Sequence, residues 1–132
     1  MKIKIDALKD YDPTKANCAL RTTWVPTVEW NENLEDDEKV TVEIEYLKSA
    51  TVTDFMVTTQ GDDGEKGTRF DFRKIFKRQV KKINNLEING HALTKAMDVL
   101  EFPSCMYTDT LVHNVAAHLI SSLSLTGDEI KN

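Results

Sequence analysis

The sequence predicts an α+β fold, with a small antiparallel sheet from the N-terminal half packed against two main helices from the C-terminal half. Three observations carry this expectation. Val40, Val42, Ile44 and Tyr46 alternate with Lys39, Thr41, Glu43 and Glu45, the period of a strand with one wet and one buried face. Phe72, Ile75, Phe76, Gln79, Val80 and Ile83 fall on one arc at helical spacing. Leu111, Val112, Val115, Ala116, Leu119, Ile120 and Leu123 form a second helical stripe. With 132 residues, 40% apolar and 30% charged, the chain is read as one domain, 1–132, with a modest core.

Taken in order, Ile3 and Ile5 alternate with charged residues and suggest a short strand, and Asp10 to Pro13 reads as a turn. Arg21 to Trp30 is rich in Thr, Val and Trp and favours extended structure, with Pro26 at an edge or bend. Asn31 to Glu38 reads as a polar, acidic loop before the strand through Tyr46. Ala50 to Gln60 carries both patterns, and its β-branched residues favour the strand. Gly61 to Gly67 is a glycine-rich polar loop.

A helix is expected over Asp71 to Asn84, capped by Asp71. Asn89-Gly90 is the preferred pair for a two-residue hairpin turn. Thr94 would cap a short helix to Leu100, and Pro103 interrupts. Asp109 would cap a last helix to about Leu125, ended by Gly127. Trp24 and Trp30 are expected in the core.

No motif demands chemistry, so no catalytic residue, metal ligand or cofactor is assigned and the chain is not read as an enzyme. The Gly61 to Gly67 loop lacks the Gly-Lys-Ser/Thr of a phosphate loop, and its carboxylates do not fall at EF-hand spacing. His113 and His118 are five apart, about 140° round a helix, and Asn114 stands where a zinc-protease helix needs Glu. Cys105 lies in an apolar connector and reads as a buried, inert thiol without a local base. Cys18 and Cys105 stand far apart, which fits reduced thiols in a cytosolic protein.

Charge is uneven. Residues 1–68 hold 8 Lys/Arg and 15 Asp/Glu, whereas residues 69–132 hold 9 and 7, so the balance moves from −7 to +2. The acidic patch centres on Glu35, Asp36, Asp37 and Glu38, and the basic face on Arg73, Lys74, Lys77, Arg78, Lys81 and Lys82. Both are candidate partner-binding surfaces, for protein partners or for other copies of the chain. Nucleic acid is the less favoured partner for residues 69–82, because the net charge is −5 and no aromatic interrupts the basic face. No apolar run approaches the roughly 18 to 20 residues that span a bilayer, and Met1 to Asp6 lacks the apolar stretch of a signal peptide.

Three stretches resemble small proteins of tailed-phage tail modules, in particular the tail-assembly-chaperone-like group. These are the strand-then-helix order around Ile44-Glu45-Tyr46-Leu47, the segment Val80 to Gly90, and the end Ile120 to Asn132. The resemblance covers roughly the second half and part of the first. It marks structure, so it transfers no residue role. It implies a tail assembly chaperone or small structural subunit acting by protein–protein contacts, possible homo-oligomers, and residence in the bacterial host cytoplasm or the virion. An apolar stripe with a charged back, and an edge strand able to extend another sheet, are compatible with that role. The alternative is a small nucleic-acid-binding or host-regulating protein.

Overall fold

A computed structural model describes residues 1–4, 21–62 and 64–131, with 124–131 described by backbone alone. The fold is α+β. Strand β1 (Arg21–Trp24) leads into a short helix α1 (Glu29–Glu32) and then into β2 (Thr41–Glu45). A 3-10 helix (Val52–Phe55) precedes the hairpin β3 (Met56–Gln60) and β4 (Lys66–Phe70). Next come α2 (Phe72–Gln79), β5 (Val80–Asn84) and the small hairpin β6 (Glu87–Ile88) and β7 (His91–Ala92). Helices α3 (Ala96–Glu101) and α4 (Met106–Lys131) complete the chain.

The main sheet is antiparallel in the order β1-β2-β5. Its inner face buries Val42, Ile44, Val80 and Ile83 against Ile75 and Phe76 of α2 and against Leu111, Val115, Ala116 and Leu119 of α4. Ala96 and Val99 of α3 close one side. The α4 stripe is thus the expected one, with Ile120 and Leu123 partly buried at its edge.

The largest correction falls on residues 71–84. Asp71 does cap a helix, accepting from the Lys74 N–H at 3.1 Å. That helix stops at Gln79, and residues 80–84 pair with β2 as a strand. In a regular strand, residues three apart point to opposite faces. Here Glu43 pairs with Lys82 but the next residue, Ile44, pairs with Val80, so Lys81 is an extra, bulged residue. The bulge returns both Val80 and Ile83 to the inner face. Gln79 secures the junction by donating to the Glu45 carbonyl at 2.6 Å.

Other boundaries also move. Residues 21–30 are extended only to Trp24, and Trp30 sits in α1. Asn31 is no loop residue but a buried staple. Its amide donates to the Pro26 and Val40 carbonyls at 3.0 Å each, and its oxygen accepts from the Val40 N–H at 2.8 Å. Residues 50–60 divide into a 3-10 helix and a strand, and Lys66 to Phe70 returns as the partner strand. The Asn89-Gly90 hairpin forms as expected, with φ of 52° and 79° as a type I′ turn requires.

The short α3 is started by Asp98, whose carboxylate accepts from the Thr94 and Lys95 N–H groups, both at 3.1 Å. Those two bonds, Thr94 first, hold the Asp98 carboxyl below its usual pKa. Helix α4 begins at Met106, so Asp109 lies within its first turn, and the helix passes Gly127 to reach Lys131. Residues 1–4 form no strand. Ile5, the Asp10 to Pro13 turn and Cys18 lie outside the described residues.

Phe76 is fully buried at the meeting of α2, the sheet and α4. Phe76→Ala should therefore cost about 3 to 5 kcal/mol, measured by denaturant unfolding. A loss below about 1 kcal/mol would place this side chain outside the core.

Candidate functional site

Both sequence-predicted charged surfaces are exposed, but the structure arranges them differently. Glu35, Asp36, Asp37 and Glu38 are all exposed on the loop after α1. Asp36 forms an ion pair with Lys39 at 3.4 Å. The Asp37 and Lys39 carbonyls accept from the Asn85 amide, which ties this loop to the end of β5.

The basic face is split between two elements. Arg73, Lys74, Lys77 and Arg78 stand on α2, while Lys81 and Lys82 stand on β5. Four of these side chains are engaged within the chain. Arg73 donates to the Leu100 carbonyl and Lys74 to the Asp54 carbonyl. Arg78 pairs with the Asp54 carboxylate at 3.7 Å and lies over the Phe55 ring, 5.0 Å from its centre. Lys81 donates to the Arg78 carbonyl at 2.7 Å and stands 3.8 Å from the Glu45 carboxylate. Lys77 and Lys82 are exposed and make no hydrogen bond or ion pair among the described residues. Only those two therefore report on the surface without also touching the fold.

The structure adds a relation that the sequence reading missed. Thr110, Asn114 and His118 stand four residues apart on α4, one above another along the helix. They meet Trp30, Thr27 and Trp24 in reverse order. The Trp30 indole donates to the Thr110 hydroxyl at 2.9 Å. Asn114 exchanges two bonds with Thr27, accepting from its N–H at 2.9 Å and donating to its hydroxyl at 3.0 Å. His118 stacks on Trp24 with ring centres 4.0 Å apart and planes within 6°. Its Nε2 also lies 3.3 Å from the Tyr46 hydroxyl. Burial raises the Tyr46 pKa and lowers that of His118, so both are neutral near pH 7 and the phenol can donate to the imidazole. His113 packs instead against Phe72.

This grip leaves an apolar cluster at the surface. Tyr107 packs edge-on against Trp30 at 5.4 Å, and Met106 lies beside them. Met106 is 59% and Tyr107 45% exposed. A shallow groove between α1 and the start of α4 is lined by Val28, Glu29, Trp30, Asn33, Met106 and Thr110. Trp24 and Trp30 are half-buried and packed against the core. The missed signal was the four-residue polar spacing beside the apolar stripe.

Cys105 is half-buried rather than buried, and its hydrogen bonds go to Thr108, not to a histidine. The Thr108 hydroxyl is the main cause of its lowered pKa. No three His, Cys, Asp or Glu side chains gather as a metal-binding group among the described residues. Nor is any helix among them long and apolar enough to cross a membrane. No protein-family model, curated protein or solved structure matches the chain.

His118 gives a pH prediction. Its folded pKa lies below the ordinary histidine value, so the unfolded chain binds the proton more readily. Stability should be fully present above about pH 6.5 and should fall as pH drops through that value toward the lowered one. Thermal melts between pH 7.5 and 5 should show this fall, and His118→Gln should flatten it while lowering the melting temperature throughout. An equally steep dependence in the variant would assign the effect to another group.

Proposed function

We propose that the protein is a phage tail assembly protein, a tail assembly chaperone or a small structural subunit, that works by protein–protein contacts. The observation that carries the contact reading is the cluster of exposed Met106 and Tyr107 beside half-buried Trp30. Trp and Tyr dominate the energetics of interfaces, and Met adapts its shape to a partner. Glu29 on α1 lines the groove beside Met106 and gives it a negative rim. That charge favours partners with Lys or Arg beside an apolar anchor. The tail assignment itself rests on the resemblance of residues 44–47, 80–90 and 120–132 to tail-module proteins. Host cytoplasm or virion follows as the proposed location.

The alternative, nucleic-acid binding or host regulation through residues 69–82, draws less support. The cations divide between a helix and a strand, and four of the six already hold carbonyls, a carboxylate or an aromatic face.

Deleting the coding sequence from the genome that carries it should give particles without complete tails in electron micrographs. Normal tails would overturn the tail-assembly reading. Supplying the parent in trans should restore tails, and a Met106→Ser/Tyr107→Ser variant of unchanged melting temperature should restore at least about tenfold fewer. Full restoration by that variant would remove the cluster as the contact surface.

A further inference from the structure

The β3–β4 hairpin forms a two-stranded sheet of its own among the described residues. Its ladder fixes which backbone groups face outward. At one end the Asp71 N–H donates to the Phe55 carbonyl at 2.7 Å, and at the other the Gly61 N–H donates to the Glu65 carbonyl at 2.8 Å. Hydrogen-bonded pairs alternate along an antiparallel ladder, so odd-numbered residues of β3 bond to β4. Thr58 and Gln60 therefore turn their N–H and C=O groups outward, whereas the Met56 N–H donates to the Thr53 carbonyl at the end of the 3-10 helix; all three residues are exposed. No bond to the outward backbone groups of Thr58 and Gln60 is present among the described residues.

Open edges are normally blunted by charge, proline or a bulge. Strand β4 carries Lys66 and Arg69. Strand β3, with sequence Met-Val-Thr-Thr-Gln, carries no charge and no proline, and its register with β4 is unbroken. The edge of β3 is thus a ready template for another strand.

We propose that this edge pairs with the same edge of a second copy of the chain, antiparallel and centred on Thr58, joining two hairpins into a four-stranded sheet. The outward row is self-complementary. Met56 faces Gln60 of the second copy, Thr58 faces its equivalent, and the Thr58 and Gln60 N–H groups each meet a carbonyl of the second copy. No like charges are opposed within the paired strands. Charge is complementary beyond them. Antiparallel pairing directs the hairpin tip, with exposed Asp62, toward the base of the second copy's hairpin, where Lys74 and Arg78 gather at Asp54. The tip of one hairpin thereby meets the cationic base of the other. This inference does not depend on the tail-assembly reading and uses a different surface from the Met106 and Tyr107 cluster.

Sedimentation of the full chain from micromolar to millimolar concentration provides the test. The parent should pass from monomer to dimer. Thr58→Lys, which sets two ammonium groups against each other at the twofold axis and leaves every β3–β4 bond in place, should raise the dimer dissociation constant at least about tenfold without changing the melting temperature. In a Cys18→Ser/Cys105→Ser background, Thr58→Cys should oxidise to a covalent dimer, because hydrogen-bonded antiparallel partners stand about 5.5 Å apart at Cα, within disulfide range. Thr68→Cys, on the outward row of β4, should cross-link far more slowly. A parent that stays monomeric throughout would overturn the proposal. So would a dimer indifferent to Thr58→Lys, or Thr68→Cys cross-linking as fast as Thr58→Cys.

Discussion

Val80 and Ile83 stand three residues apart, and both must reach the one core that β2, α2 and α4 share. A helix satisfies that spacing directly, and a regular strand does not. The chain meets the constraint with a strand that carries one extra residue, Lys81. Much else follows from this junction. Ending α2 at Gln79 lets β5 supply the third strand, without which β1 and β2 would be an isolated pair of marginal stability. The bulge places Lys81 between the Arg78 carbonyl and Glu45, and Gln79 caps the Glu45 carbonyl where the ladder is interrupted. The same junction carries the chain from β5 into the Asn89-Gly90 hairpin and α3, which close the core.

Helix α4 supplies the second organising contact. One of its faces is apolar and meets α2 and the sheet. The adjoining polar rungs Thr110, Asn114 and His118 grip residues 24–30. A helix that buried only its apolar stripe would leave Trp24 and Trp30 to find their own places. The three rungs fix them instead, and Asn31 anchors the same segment to Val40, just before β2. A fixed aromatic platform loses little entropy on binding, which suits a contact surface.

The fold class, the β2 strand, the Asn89-Gly90 turn and the α4 stripe were legible because each depends on local period or on one turn's backbone demands. The Phe72 to Ile83 arc misled for an identifiable reason. Helical spacing and a bulged strand put the same residues on one side, so periodicity alone cannot tell them apart. β-branched Val80 and Ile83 around two lysines were the available hint. Asn31 looked like loop polarity because a buried amide is recognised only through distant carbonyls. The candidate surfaces were half legible. Charge runs are visible in sequence, but the division of the basic run between α2 and β5, and the use of Arg78 and Lys81 inside the fold, are tertiary facts. The Trp30, Met106 and Tyr107 cluster joins residues more than seventy positions apart and left no local trace.

The helix-to-strand switch at Gln79 decides whether six cations form one continuous face or two separate groups. Backbone carbon chemical shifts across residues 72–84, together with cross-strand contacts between Val42 and Ile83, measure it directly in solution. The structure requires helical shifts ending at Gln79, extended shifts from Val80 to Asn84, and a Val42–Ile83 cross-peak. Helical shifts continuing through Asn84, with no such cross-peak, would contradict the bulged strand and restore a single basic helix.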